Sequence, residues 1–384
     1  MNEYIKGADI ILKRGYMQNS ARAGMPGTKD YSGLQLRFNL ADDKIPMVTT
    51  RYTSFKLIMA ELLWMLRGDT NIKYLVDRKC NIWNDNAYKW YCHLCKKYKP
   101  TFEGSALAAT SLGYPGLTQD EFIAHIVEET ALSQRTFTYT VNGETLEYKL
   151  GDLGRIYGYQ WRKRKIDAIV ELIEGIKLNP LSRQHKVTAW VAEDMTYDYC
   201  AQPNCHGDFI ITCRPLNGET RIKLLKETLK VKDLKIGIDE INTYFKKLNI
   251  PEYEITMNLN QRSGDYVLGV PFNIVSYSVL LHIIGFLTNT VPKMLVMTIN
   301  NAHIYKDHIR NFKTQLERKP FPLPSLVIND MSVTCYRNFC LETKPTLDQL
   351  IADIDNSLNP GFSLKDYKHH ERMDYKLHTG VAKK

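Results

Sequence analysis

The chain has 384 residues, 44% hydrophobic and 24% charged, a composition ordinary for a globular protein that leaves no case for a disordered or fibrous one. Its net charge of +9, from 51 Lys+Arg against 42 Asp+Glu, favours acidic partners such as nucleotides and polyanionic cofactors. No membrane span is expected, the N-terminal MNEYIKGADIILKRGY is too polar for a secretory signal, and eight cysteines in so long a chain suit free thiols in a reducing cytoplasm better than a disulfide scaffold.

In chain order, Ser54 precedes FKLIMAELLWMLRG, where Leu57, Ile58, Leu62 and Met65 recur at helical spacing. Ser54 can cap that helix and Gly68 can end it in a left-handed turn. Glu61 falls in its middle and either faces solvent or, among Leu62, Leu63 and Trp64, has its pKa raised by desolvation. Cys92 and Cys95 form CHLC, with Cys80 upstream, but no second close ligand pair follows, so no metal is expected. TFTYTVNGETLEYKL alternates apolar and polar residues on either side of Asn142-Gly143, the signature of a two-residue hairpin. WRKRK at 161–165 is the densest basic run and fits a solvated face better than a nucleic-acid groove, so nucleic-acid binding is not required.

KVTAWVA and DFIITC read as buried strands, with QPNCHGD between them. That stretch sets Cys205 beside His206 in a polar, turn-prone setting, whereas a structural thiol is usually a small buried hydrophobe. GIDEINTYFKKLNI places Ile241, Tyr244, Phe245 and Leu248 on one helical face. PFNIVSYSVLLHIIGFL, from 271, is apolar nearly all round and reads as a buried central helix with proline at its start.

Eight blocks then line up in order: FNLADDKIPMVTTR, ELLWMLRGDTNIKYL, NIW, GDLGRIYGYQWR, NPLSRQHKVTAW, NCH, NQRSGDYVLGVPFNIVSY and NAHIYKDH. Together they resemble the thymidylate synthase family, which includes the pyrimidine nucleotide hydroxymethylases found mainly in bacteriophages. The resemblance implies an α+β fold with a large twisted mixed β-sheet packed with helices, a homodimer formed through the sheet face, and one catalytic domain over 1–384 with insertions at about 88–149 and 217–252. It also implies the reaction, one-carbon transfer from 5,10-methylenetetrahydrofolate to C5 of a deoxypyrimidine monophosphate.

Carried onto this chain, the resemblance makes Cys205 the nucleophile that adds to C6 of the base, with Arg262 beside it. Arg22, Arg262 and Ser263 would hold the phosphate, with Arg183 donated across the dimer interface and Gln184 standing where the family has a second arginine. Gln261 belongs to the same NQRSGD block. His303 and Tyr305 would bind the sugar hydroxyl, and Asn273 would read the base as uracil, so the substrate is expected to be dUMP. Glu61 and Tyr157 would serve proton transfers through water. Trp83, Asp265 and Gly269 would meet the reduced folate.

The departures from the family pattern cluster where water would enter. Gln202 and Asn204 flank the nucleophile where apolar and small residues are usual, Asn86 replaces an aromatic, and the chain ends HTGVAKK in place of a short apolar tail. They lead us to expect hydroxymethylation of dUMP, most like a bacteriophage deoxyuridylate hydroxymethylase. Reductive methylation to thymidylate is the alternative, and a non-catalytic nucleic-acid-binding paralogue the more distant one.

Overall fold

The computed structural model describes residues 1–19, 25–98, 116–234, 236–328, 331–332, 345–356 and 362–379. Its strands follow from period-two alternation. In β2 (Thr28–Asn39), Leu34, Leu36 and Phe38 are buried while Gln35, Arg37 and Asn39 point out. Strands β1 (Tyr16–Gln18), β5 (Lys186–Val187), β6 (Asp208–Pro215), β7 (Tyr253–Asp265) and β8 (Val291–Tyr305) complete a six-stranded sheet in the order β1-β2-β8-β7-β6-β5. The β7–β8 pair is parallel and the other neighbours are antiparallel, so the sheet is mixed.

A parallel pair needs a crossover, and here it is the helix Gly269–Thr288 (α9), with Pro271 in its first turn and nearly every residue buried. By length and composition α9 could cross a membrane, but 94% of its apolar window is buried inside the protein. It packs on the inner face of the sheet, and α2 (Phe55–Leu66) and α6 (Ala168–Leu178) pack against it. Ser54 Oγ accepts from Leu57 N to start α2, and Gly68, at φ 70°, follows its end. Against the edge of this core lie α1 (Asn2–Arg14), α3 (Lys73–Asp77) and α10 (Ile309–Leu316).

The segment about 88–149 contributes α4 (Asn84–Tyr98), α5 (Gln119–Val127) and the hairpin β3 (Thr136–Val141) and β4 (Glu144–Lys149). Asn142 and Gly143, at φ 50° and 83°, form the expected tight turn. Phe122, Phe137 and Tyr148 join this segment to the main core. The second segment, α7 (Gly218–Leu229) and α8 (Ile238–Lys247), instead closes over its own small cluster of Leu225, Phe245 and Ile250.

KVTAWVA departs from expectation, since only Lys186–Val187 form a strand. One Asp208 carboxylate oxygen accepts from Ala189 N at 2.8 Å, Trp190 N at 3.3 Å and the Thr188 hydroxyl at 2.6 Å. A charged side chain thus takes the donors a ladder would use, and the strand ends early.

Candidate active site

The Cys205 peptide is held on both sides. Its N–H donates to Tyr157 Oη at 2.9 Å, and its carbonyl accepts from Arg262 N at 2.8 Å, extending the β6–β7 pairing toward the thiol. Gly207 then turns the chain at φ 111°, its carbonyl accepting from the Trp161 indole at 3.1 Å. The thiol accepts from Arg262 Nη2 at 3.3 Å and from Gln202 Nε2 at 3.5 Å, and its Sγ lies 3.9 Å from the Pro203 carbonyl. The guanidinium also donates to the carbonyls of Pro203 and Asn204 and sits 5.6 Å from the Trp190 ring centre, so the cation is fixed beside the sulfur. A fixed cation stabilises negative charge on sulfur, the reactive form.

A cleft of about 370 Å³ opens at this sulfur. Eleven expected site residues line it: Cys205, Glu61, Tyr157, Asp265, Gln261 and Ser263, together with Asn273, Trp83, Gly269, Asn86 and Gln202. Glu61 is 8% exposed, and its Oε1 accepts from Trp83 Nε1 at 2.9 Å. Burial pushes its pKa up to about 7, against the opposing effect of the indole hydrogen bond. Tyr157 is buried and its pKa is also raised well above the usual phenol range, by desolvation and then by the nearby Cys205.

Asn273 donates to Gln261 Oε1 at 3.1 Å, and Gln261 in turn donates to the Ser263 carbonyl at 2.8 Å. This leaves the second Asn273 N–H and its Oδ1 as a donor–acceptor pair. Asp265 Oδ1 accepts from Val267 N and Leu268 N ahead of α9, so the residue acts as a turn acid at the same time as lining the cleft. Ile82, Leu268 and Phe272 add apolar surface beside Trp83.

One wall is polar. Asn86 Nδ2 donates to Gln202 Oε1 at 2.7 Å, and Gln202 donates onward to the sulfur, so three side chains form a line into the site. Asn204 takes no part in it: its amide is 2% exposed, donates to the Ala189 carbonyl at 2.7 Å, and does not line the cleft.

His303 and Tyr305 lie next to the cleft on β8, where His303 is paired with Asp265. His303 Nδ1 is 3.0 Å from Asn301 Oδ1, which also accepts from Ser263 Oγ at 3.5 Å. Arg183 is exposed after α6, away from the cleft, and Arg22 lies outside the described residues. His206 and the stretch 375–377 were not assigned from sequence, whereas the chain end from His378 was expected at the site. His206 stacks on Tyr157 at 4.4 Å with Nδ1 2.8 Å from Tyr277 Oη, and burial lowers its pKa to about 3. The C-terminal segment brings Tyr375, Leu377, His378 and Thr379 to the cleft. The Cys-His dipeptide was the signal for the first, and the absence of periodicity hid the second.

Comparison with known proteins finds a match to the family described as thymidylate synthase over residues 2–379. The chain is 35% identical over 324 residues to a thymidylate synthase of Phytoplasma mali, covering 82% of this chain and 87% of that protein. A Mycoplasma mobile thymidylate synthase is 34% identical over 330 residues, covering 86% and 89%. One from Listeria monocytogenes is 32% identical over 372 residues, covering 95% and 98%.

Proposed function

Because the chain belongs to the thymidylate synthase family, whose co-substrate is methylenetetrahydrofolate, we propose that it transfers that one-carbon unit to C5 of dUMP through a covalent adduct at Cys205. The observation that carries this reading is the Cys205 sulfur with Arg262 at 3.3 Å, opening on a cleft shared with Asn273 and Glu61.

Uracil C5 is a weak nucleophile. Addition of the Cys205 thiolate to C6 moves electron density to C5 and O4, and the Asn273 N–H is placed to receive the charge at O4. Asn273 Oδ1 suits the N3–H of the same base. Glu61, with a pKa of about 7, can both take and return protons near neutral pH, and Tyr157 orders the nucleophile's peptide. The slab of Trp83, Ile82, Leu268 and Phe272, with the Asp265 carboxylate at its edge, fits a flat heteroaromatic ring bearing N–H donors. The folate supplies the carbon and, in reductive methylation, the two electrons that turn it into a methyl group.

Reductive methylation, giving dTMP and dihydrofolate, is the outcome the named relatives support, ahead of the hydroxymethylation expected from the polar wall. The second reading, in which water adds and tetrahydrofolate is released, draws its support from the Asn86–Gln202–Cys205 line, which can hold a water where a reductive site is dry. It would place the chain with the bacteriophage deoxyuridylate hydroxymethylases. A thiol nucleophile suits a reducing cytoplasm under either reading.

The same proposal treats residues 1–384 as one catalytic domain with the two insertions, dimerised through the outer sheet face. Arg183 is exposed with no partner among the described residues, and Trp190 and Ile210 expose apolar surface at the β5–β6 side. With Arg183 reaching a partner's cleft and Lys186 nearby in place of the arginine lost at Gln184, a phosphate dianion would be held by charge from both subunits.

The test is incubation with 5-tritiated dUMP and methylenetetrahydrofolate, followed by mass spectrometry of the nucleotide. Tritium release with dTMP and dihydrofolate formed in equal amounts is expected. Release accompanied by 5-hydroxymethyl-dUMP would establish the second reading, and no release would remove both. Gln202→Leu, which breaks the polar line, leaves a methyl product unchanged but shifts a hydroxymethyl product toward dTMP.

A further inference from the structure

Three metal-capable side chains, of which His378 also lines the cleft, converge beside Tyr305. Asp307 and His308 occupy the short turn Lys306–His308 that closes β8, and His378 comes from the C-terminal segment. One donor atom from each lies within 4.8 Å of the others. His378 Nε2 is 2.8 Å from Asp307 Oδ2, with the His378 side chain 5% exposed. His308 is 2% exposed, and its Nε2 meets the Lys376 carbonyl at 2.9 Å. Its Nδ1 is buried with no hydrogen-bond partner among the described residues, a state that is costly for an imidazole nitrogen. The two imidazoles lie 5.2 Å apart, 33° from parallel.

We propose that Asp307, His308 and His378 form a binding site for one divalent first-row transition ion, of the zinc class, which fastens the C-terminal segment over the cleft. Two imidazoles and one carboxylate are a nitrogen-rich donor set that suits Zn²⁺, Co²⁺ or Ni²⁺, whereas Mg²⁺ and Ca²⁺ prefer oxygen alone. Donors around a tetrahedral ion stand about 3.3 Å apart, so the cluster closes on an ion by side-chain rotation on the order of 1 Å. Three protein ligands leave the fourth position to water.

Two ligands sit in the turn that closes β8 and the third on a segment reached 70 residues later, so an ion here acts as a staple between them. Occupancy is coupled to the cleft through the same segment, since Tyr375, Leu377, His378 and Thr379 line it and the His378 ring lies 4.5 Å from Tyr305. Without the ion the segment is held by hydrogen bonds such as Tyr375 Oη to Gln315 and Lys89 Nζ to the Thr379 carbonyl.

The test uses the full chain in its reduced form. Equilibrium dialysis against Co²⁺ and against Zn²⁺ compares the wild type with His378→Ala and Asp307→Asn, so that metal taken up by cysteines is common to all three. Trypsin digestion with and without Zn²⁺ then follows cleavage after Lys368, Arg372 and Lys376, and thermal melting confirms that each variant is folded. The wild type is expected to retain about one equivalent more than either variant, and Zn²⁺ to slow cleavage after Lys376 by about tenfold in the wild type alone. Equal retention by the three proteins would overturn the site, and retention without protection would overturn the staple.

Discussion

Glu61 joins stability to chemistry at a single residue. The native state binds its proton more tightly than the unfolded chain does, so the stability this group contributes is full below about pH 4.5 and is lost as the pH rises through about 7. A rise of this size corresponds to roughly 3 kcal/mol at alkaline pH. Glu61→Gln is therefore expected to match the wild type near pH 5 and to exceed it in denaturant stability by about that amount at pH 8, while turnover falls by about a hundredfold or more. Equal stability differences at both pH values would show that Glu61 is not held in its neutral form. Asp152, raised to about 6 by burial against hydrogen bonds from Lys149 N and Asn71, adds a slope of the same sign that the variant retains. The Cys-His dipeptide shows the limits of adjacency at this scale. His206, pushed down to about 3, stays neutral and cannot supply the thiol's cation, which comes instead from Arg262 on the neighbouring strand.

At the scale of elements, the turn after Cys205 is tightly constrained. A Cβ on Gly207 would lie 2.5 Å from the Ala189 Cβ, at a φ of 111° that other residues rarely adopt. Gly207→Ala is expected to cost about 1–3 kcal/mol and to lower turnover by displacing Cys205. Gly143→Ala, at φ 83° in open space in the hairpin, should cost about 1 kcal/mol and leave turnover intact. Melting temperatures and tritium release on the two variants check the pair, and comparable turnover losses would contradict it. Helices α2 and α9 and the β3–β4 hairpin were legible from sequence because capping residues, all-round apolarity and an Asn-Gly turn are local signals. The early end of β5 was not, because Asp208 acts from 20 residues away. Nor was the placement of Asn204, whose amide satisfies a buried carbonyl; of the C-terminal segment only the end from His378 was expected at the site, because the cleft contacts of Tyr375 and Leu377 depend on tertiary packing rather than on any repeat.

For the whole molecule, the mixed sheet divides the work. Its inner face carries α9 and the core, while its outer face presents Gln35, Arg37, Asn260 and Asn300 in hydrogen-bonded pairs that a second sheet can cover. If Arg183 completes the partner's cleft, Arg183→Ala and Cys205→Ala are each nearly inactive alone. Mixed after subunit exchange, they recover activity approaching about a quarter of the wild type, because one cleft of each hybrid dimer is intact. No recovery from a mixture proven by sedimentation to exchange subunits would place Arg183 outside the site. The central claim, a transient bond from one sulfur to the pyrimidine, is tested most directly by 5-fluoro-dUMP, whose fluorine cannot leave as the C5 hydrogen does. Incubated with methylenetetrahydrofolate, digested and sequenced by mass spectrometry, the protein should carry nucleotide and folate together on the peptide containing Cys205. A label on any other residue, or none with both ligands bound, would contradict the account.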